Sequence, residues 1–405
     1  MNILFLTLLD FESIEERGIY TDLLREFVKD NHKVFIVSPT EKRKKQPTRL
    51  IDNGNSKILK LQIGNIQKTN ILVKGVSTLL LESKFLTGVR EYYDVKFDLV
   101  LYSTPPITLQ RVVEYIKKKN NAKAYLLLKD IFPQNAVDLG MMKKKGIQSI
   151  LYRYFRAKEK KLYQSSDYIG CMSQANVEYV VKHNNGLLPS VVEICPNSIE
   201  PMRVLIDDQK IDDVKKKYNI PNNKTIFIYG GNLGKPQGVD FLLKCIELNK
   251  ANQQVHFVIV GAGTEFSKIK TYFKQEQPPN AQLFQQLPKE DYDALASLCD
   301  VGLIFLDKRF TIPNFPSRIL SYMQASIPVL AATDRHSDIR KVVEDGGFGF
   351  WCEHGDINGF NHYVECLSDD QLRKEMGMKS RAYLENHYTA KHSYEIIMSH
   401  FKKER

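Results

Sequence analysis

The stretch Thr225-Ile-Phe-Ile-Tyr-Gly-Gly-Asn-Leu-Gly-Lys-Pro-Gln-Gly-Val-Asp240 decides the fold. A β-rich apolar run, residues 226–229, stops at Gly230 and Gly231. Gly234 and Gly238 follow, and from Val239 onward Phe241, Leu242, Leu243 and Ile246 fall at helical spacing. The order is strand, glycine turn, helix. Glycine lets a backbone approach a ligand closely, and a helix start offers unpaired N–H groups and a positive dipole end, so the natural guest is a phosphate or diphosphate. The turn lies in the middle of a 405-residue chain, which puts this anion site in a second domain.

Outward from that turn the same pattern recurs. Residues 3–8, 33–38 (ended by Pro39), 98–102, 124–128 and 168–172 read as strands in the N-terminal half, with a helix over 19–29 and another over 107–118. In the C-terminal half 256–260, 302–306 and 329–332 join 226–229. Strands alternating with helices give parallel sheets covered on both faces, here two doubly wound α/β domains. The boundaries read as 1–198, 199–385 and a C-terminal helix over 386–405 that crosses back to the first domain. In such sheets ligands bind beyond the carboxyl ends of the strands. The positions to search are therefore Gly18, Thr104 to Pro106, Asp130, Ser173, the glycine loop, Gly261 and the loop after Leu306.

The net charge of +11 fits nucleic acid, an anionic membrane surface or phosphorylated substrates. The basic runs are not interleaved with aromatics on a nucleic-acid module, so nucleic acid is not expected. Six scattered cysteines, with no C-x-x-C pair, argue for a reducing compartment and against a zinc site. The apolar start, residues 1–10, lacks a basic flank and a cleavage site and reads as a buried strand. A cytoplasmic protein, peripheral on the inner face of the cell membrane, is the expectation.

Four C-terminal motifs carry a resemblance: Gly230-Gly-Asn-Leu-Gly-Lys-Pro-Gln-Gly238, Phe257-Val-Ile-Val-Gly-Ala-Gly263, Leu298-Cys-Asp-Val-Gly-Leu-Ile304 and Phe315-Pro-Ser-Arg-Ile-Leu-Ser-Tyr-Met-Gln-Ala-Ser-Ile-Pro-Val329. Lys129-Asp-Ile-Phe-Pro-Gln134 and Pro196-Asn197 add to it from the first half. With these the chain resembles the family 4 glycosyltransferases. The resemblance implies the GT-B fold, two Rossmann-like domains facing across a cleft that closes on its substrates. It also implies a subgroup that builds bacterial capsule and O-antigen repeats, nearest to N-acetyl-L-fucosaminyl transferases. The donor would be a UDP-sugar, with no other cofactor and no metal. The acceptor would be a saccharide on polyprenyl diphosphate, and transfer would retain the anomeric configuration.

The residues then take roles. Gly18, Gly231, Asn232, Gly234, Gly238, Gly261, Pro316, Ser317 and Ser321 are the candidate donor contacts. Asn232 and Gln237 stand where most members carry Arg and Lys, and Pro313 and Ser321 stand where most carry two glutamates. Lys235 and Arg318 are left to balance the diphosphate charge, Arg318 with a forked pair of hydrogen bonds; the plain alternative for Arg318 is a solvated helix residue. Asp130 would orient the acceptor hydroxyl, or else simply cap a turn; Lys129 and Gln134 are secondary candidates beside it. Asp291-Tyr-Asp293 resembles a metal-binding D-x-D but opens an amphipathic helix, where acidic residues suit the dipole. A GT-B UDP-sugar 2-epimerase is the alternative chemistry, and a non-catalytic nucleotide-sugar or nucleic-acid binder the alternative class.

One segment points to a membrane. In residues 146–162 Ile147, Ile150, Leu151, Tyr154 and Phe155 share a helical face, rimmed by Arg153, Arg156, Lys160 and Lys161 and preceded by Lys143 to Lys145. Such a helix binds anionic headgroups or packs its apolar face on the sheet with a solvated basic rim. Lys42-Arg-Lys-Lys45 is a second basic run, for lipid or plain solvent.

Overall fold

The computed structural model of the chain describes residues 1–66, 71–147, 149–202 and 208–401. They form two compact units, one of Met1–Glu200 with Ala390–Arg405 and one of Pro201–Thr389.

The first unit is built on β1 (Asn2–Leu6), β2 (Lys33–Glu41), β3 (Arg49–Asp52), β4 (Ser56–Ile63), β5 (Leu99–Ser103), β6 (Lys123–Leu128), β7 (Tyr168–Cys171) and β8 (Val192–Ile194). Their spatial order is β3-β4-β2-β1-β5-β6-β7-β8. All neighbours run parallel except β3 against β4. The central strands are buried along their length, which is why they read as continuous apolar runs rather than alternating ones. The chain order reverses at β1, which has β2 on one side and β5 on the other. The carboxyl ends of β1 and β5 thus flank a topological switch point. The C-terminal helix Ala390–Ser399 packs on this unit, with Tyr394 edge-on to Phe27 of the helix Ile19–Lys29, ring centroids 4.9 Å apart.

The second unit has six parallel strands: β9 (Thr225–Asn232), β10 (Val255–Ala262), β11 (Ala281–Phe284), β12 (Val301–Phe305), β13 (Val329–Thr333) and β14 (Gly349–Glu353). Their order is β11-β10-β9-β12-β13-β14. Reversal falls at β9, between β10 and β12. The glycine loop follows β9, so it stands at the switch point of its own sheet.

Two expectations are corrected here, and one left open is sharpened. The strand before the glycine loop does not stop at Gly230. It continues to Asn232, because β10 runs beside it through the pairs Val260 with Gly230, Gly261 with Gly231 and Ala262 with Asn232. Pro39 does not end β2 either. Val37 faces β1, its carbonyl accepting from Thr7 N at 3.3 Å. Pro39 faces the same side two residues later, past the end of β1, where no donor is needed. The apolar stripe of 146–162 is only half used for packing. The helix Ser149–Ser165 buries Glu159, Leu162 and Tyr163, while Ile147, Ile150, Leu151 and Tyr154 stay exposed. In the other basic run Arg43 pairs with Glu41 at 2.6 Å and Lys44 with Asp10 at 2.5 Å, so neighbouring acids take up two of its charges.

Candidate active site

The end of β9 is shaped by aromatic side chains. Gly230 has no room for a Cβ, which would collide with the Tyr292 hydroxyl. Gly230 N donates to the Tyr322 hydroxyl at 3.2 Å, and that oxygen also lies 3.0 Å from Leu303 O. Gly231 has φ +129°, a conformation open to glycine, and a Cβ there would sit 3.4 Å from Arg318 Nη2. Arg318, first residue of the helix Arg318–Gln324, lies over the Tyr229 ring at 4.2 Å. Its Nη1 is buried and has no hydrogen-bond partner. A charged, directional donor is thus held against the glycine loop without a partner, which is costly unless a ligand supplies one.

The loop itself is folded inward. Asn232 Nδ2 and Gly234 N donate to Gln237 Oε1 at 3.2 and 3.1 Å, and Tyr229 Oη donates to Asn232 O at 2.7 Å. Leu233 N, Gln237 N and Gly238 N donate to Ala262 O, Gly234 O and Lys235 O. Three backbone N–H groups, those of Gly234, Gln237 and Gly238, are therefore spent inside the loop and that of Leu233 on β10, and Gln237 is the loop's buried clasp. Gly238 is left-handed, with φ +55°, and its carbonyl lies 3.2 Å from His354 Nε2. Lys235 is exposed and forms no ion pair among the described residues. Asp307 N donates to Pro236 O at 2.9 Å, tying the loop after β12 to the glycine loop.

A further residue stands at the end of β13. Asp334 is buried; its Oδ1 accepts from His336 N at 2.8 Å and Ser337 N at 3.0 Å, while Oδ2 has no partner. Burial pushes its pKa up to about 6. Sequence reading missed it, although an aspartate one residue beyond an apolar strand in this sheet was signal enough.

In the first unit Asp130 follows β6. The Thr104 hydroxyl joins the ends of β5 and β6, accepting from Lys129 N at 2.9 Å and Asp130 N at 3.3 Å. The Asp130 carboxylate is met by Asn135 Nδ2 at 2.8 and 2.9 Å from its two oxygens. Burial, opposed by Asn135, raises its pKa to about 6. Lys129 turns away and donates to Cys195 O at 2.9 Å, its pKa lowered to about 8 by burial. Glu159, unnoticed in the sequence, is buried nearby, accepts from Arg156 and from Tyr163 Oη, and is held above the usual carboxylate range by burial. Gly18 precedes the helix Ile19–Lys29 in extended backbone, its N–H donating to Asp22 Oδ1 at 3.1 Å. Its backbone does not itself require glycine.

Residues 210–384 match the family model described as "Glycosyl transferases group 1". The chain carries a group 1 glycosyltransferase domain and is a transferase enzyme. It is 27% identical over 298 residues to the probable glycosyltransferase WbjE of Pseudomonas aeruginosa, covering 72% of this chain and 71% of that one. It is 21% identical over 253 residues to the putative colanic acid biosynthesis glycosyl transferase WcaI of Escherichia coli K12, covering 62% and 60%. The structure of Anabaena Alr3699/HepE in complex with UDP-glucose superposes with a TM-score of 0.69 at 15% identity, over 99% of both chains. The α/β units are those of the GT-B fold.

Within this glycosyltransferase the sequence candidates divide. Gly231, Asn232, Gly234, Gly238, Lys235 and Arg318 gather around the end of β9. Gly261 lies there too, but packing alone demands it, since a Cβ would collide with Gly231 O. Gly261→Ala is expected to cost about 1–3 kcal/mol of stability, as overpacking against backbone does, measured by denaturant unfolding of the free protein. Pro316 and Ser317 are half-buried, and Ser317 starts the Arg318 helix without a side-chain cap bond. Ser321 is exposed on that helix. Gln134 donates to Asp138 at 2.6 Å, one turn along its own helix. Asp291 accepts from Lys217 at 2.6 Å and Tyr218 at 2.5 Å, and the residue of that triplet that reaches the glycine loop is Tyr292.

Proposed function

We propose that this enzyme is a retaining glycosyltransferase that works without a metal. It moves a sugar from a UDP-sugar to a saccharide carried on polyprenyl diphosphate, in capsule or O-antigen synthesis. The sugar proposed is an N-acetylated deoxyhexosamine such as N-acetyl-L-fucosamine. The enzyme acts as a peripheral protein on the cytoplasmic face of the membrane. Among the described residues no helix is long and apolar enough to cross a bilayer. The observation that carries the reading is the buried, unpartnered Nη1 of Arg318 beside Gly231, at the switch point of a group 1 glycosyltransferase domain. HepE, solved with UDP-glucose, supports a uridine donor, and WcaI supports polysaccharide synthesis.

In this reading Arg318 and the exposed Lys235 meet the leaving diphosphate. Negative charge grows there as the glycosidic bond to phosphate breaks, and fixed cations stabilise that charge more than the ground state. Asp130 accepts a hydrogen bond from the acceptor hydroxyl and aims it at the anomeric carbon, and the hydroxyl proton passes to the leaving phosphate oxygen as the bond to phosphate breaks and the new glycosidic bond forms. The first test is a thermal-shift series over UDP-, GDP- and dTDP-sugars. A donor at one hundred times its Kd adds about 2.7 kcal/mol, or roughly 5–10 °C for a domain of this size. A UDP-sugar is expected to give the shift, and no shift with any nucleotide sugar overturns the proposal. Incubating that donor without acceptor then separates a transferase, which leaves it largely intact, from an epimerase, which converts it.

A further inference from the structure

Five of the fourteen large hydrophobic side chains exposed among the described residues lie between 141 and 154: Met141, Ile147, Ile150, Leu151 and Tyr154. Ile147 is 88% exposed and Ile150 66%. Isolated exposed apolar residues are ordinary, but a cluster on one turn of helix and the loop before it marks a surface with a partner. The charge around the cluster says what kind. Lys143, Lys144, Lys145, Arg153, Lys160 and Lys161 are all exposed. Residues 141–164 contain one acid, Glu159, and it is buried with Arg156 and Tyr163. The surface therefore shows apolar side chains ringed by cations, with no exposed anion within the segment.

We infer that residues 141–161 are a bilayer-docking element, whose apolar residues enter the headgroup boundary of an anionic membrane while the lysines and arginines contact lipid phosphates. The exposed large apolar residues of the helix Ser149–Ser165 lie in its first half; the second half is anchored in the unit through Leu162 and Tyr163 and leaves Lys160 and Lys161 facing outward as part of the cationic ring. The same helix packs on the loop that carries Asp130. Phe155 meets Phe132 edge-on, ring centroids 5.1 Å apart, and Tyr154 in turn meets Phe155 at 5.3 Å. The buried Glu159 feels the charge of Asp130. Docking this helix would bring the Asp130 loop to the membrane surface, where a lipid-borne acceptor presents its sugar. The inference deepens the reading of a lipid-linked acceptor and rests on it for its purpose.

The test uses the whole chain with vesicles of phosphatidylethanolamine and phosphatidylglycerol, and vesicles of phosphatidylcholine alone, in a sedimentation assay without donor or acceptor. Binding to the anionic vesicles is expected, with release as salt rises. Changing Lys143, Lys144 and Lys145 together to Gln is expected to weaken it roughly a hundredfold, from about tenfold or less per cation lost. Changing Ile147, Ile150 and Leu151 together to Ser is expected to abolish it. Each position is exposed, so melting temperatures should stay unchanged. Both triple variants should keep transfer to a detergent-free, short-chain acceptor and lose it on vesicle-borne acceptor. A wild-type protein that ignores anionic vesicles overturns the inference. So do triple variants that bind like wild type, or a dimer that these substitutions dissolve, which would make a second copy the partner. Vesicle binding without any sugar transfer leaves the docking element standing and removes the proposed function instead.

Discussion

Arg318→Ala should lower kcat/KM for the donor by about 10²–10³, the loss that follows removal of one preorganised donor to developing negative charge. Most of the loss should fall on kcat, because the diphosphate gains charge as the bond breaks and the guanidinium binds that state more tightly than the ground state. Two features make the site sensitive. The guanidinium is stacked over Tyr229 at 4.2 Å, so its orientation is fixed before donor arrives. Its Nη1 is buried without a partner, so no competing bond must break when a phosphate oxygen enters. Arg318→Lys should not rescue, since a lysine supplies a point charge on a flexible stem and cannot reproduce the planar stack and fork. Lys235→Ala should cost far less, because that side chain is solvated and its attraction screened. Steady-state kinetics at subsaturating donor checks both, with thermal melts to show that the fold survives. Unchanged kcat/KM in Arg318→Ala would remove Arg318 from the donor site.

Arg318 was legible from its place in Phe315-Pro-Ser-Arg318, but its geometry was not. The apolar runs of β5, β6, β9, β10, β12 and β13 announce buried parallel strands, and within each unit their carboxyl ends point to the candidate residues. β4 was hidden because Lys57 and Lys60 interrupt its apolar pattern. Lys60 is wholly buried, its ammonium donating to Phe11 O at 2.9 Å and Ser38 Oγ at 3.0 Å and paired with Asp10, fifty residues away. Only a folded sheet brings those partners together, and no local pattern encodes a buried lysine. Gln237 is similar: by position it looked like a lost cation, whereas it closes the loop from within. Tyr292 was passed over between two aspartates, yet its hydroxyl occupies the space that Gly230 leaves. In each case the missing information was a specific contact of a polar side chain, long-range for Lys60 and Tyr292 and within the loop for Gln237, which burial makes decisive and periodicity cannot carry.

Asp130→Asn should lower turnover by about 10²–10⁴, the usual worth of a positioned carboxylate in proton handling, and its pH behaviour separates that role from a turn-capping one. The folded-state pKa is about 6, above the ordinary 3.8, because burial disfavours the charge more than Asn135 favours it. Between those values the unfolded chain has released its proton while the folded chain keeps it. Stability contributed by this group is therefore highest near pH 4, falls as pH rises toward 6, and stays lower above that. Asparagine has no charge to bury, so Asp130→Asn should melt higher than wild type at pH 7–8 and lose that advantage near pH 4. Activity should run the opposite way. Wild-type kcat/KM should rise with pH through about 6 as the carboxylate ionises, and the asparagine variant should lack that step. Asn135→Ala removes the donor that favours the charged carboxylate, so it should move the same inflection to higher pH while retaining turnover on the alkaline side. An aspartate that merely capped its turn would give Asp130→Asn a wild-type rate and pH profile. The combination of gained stability and lost turnover at neutral pH is the signature of a half-buried carboxylate kept charged against the preference of the fold, for use on a substrate.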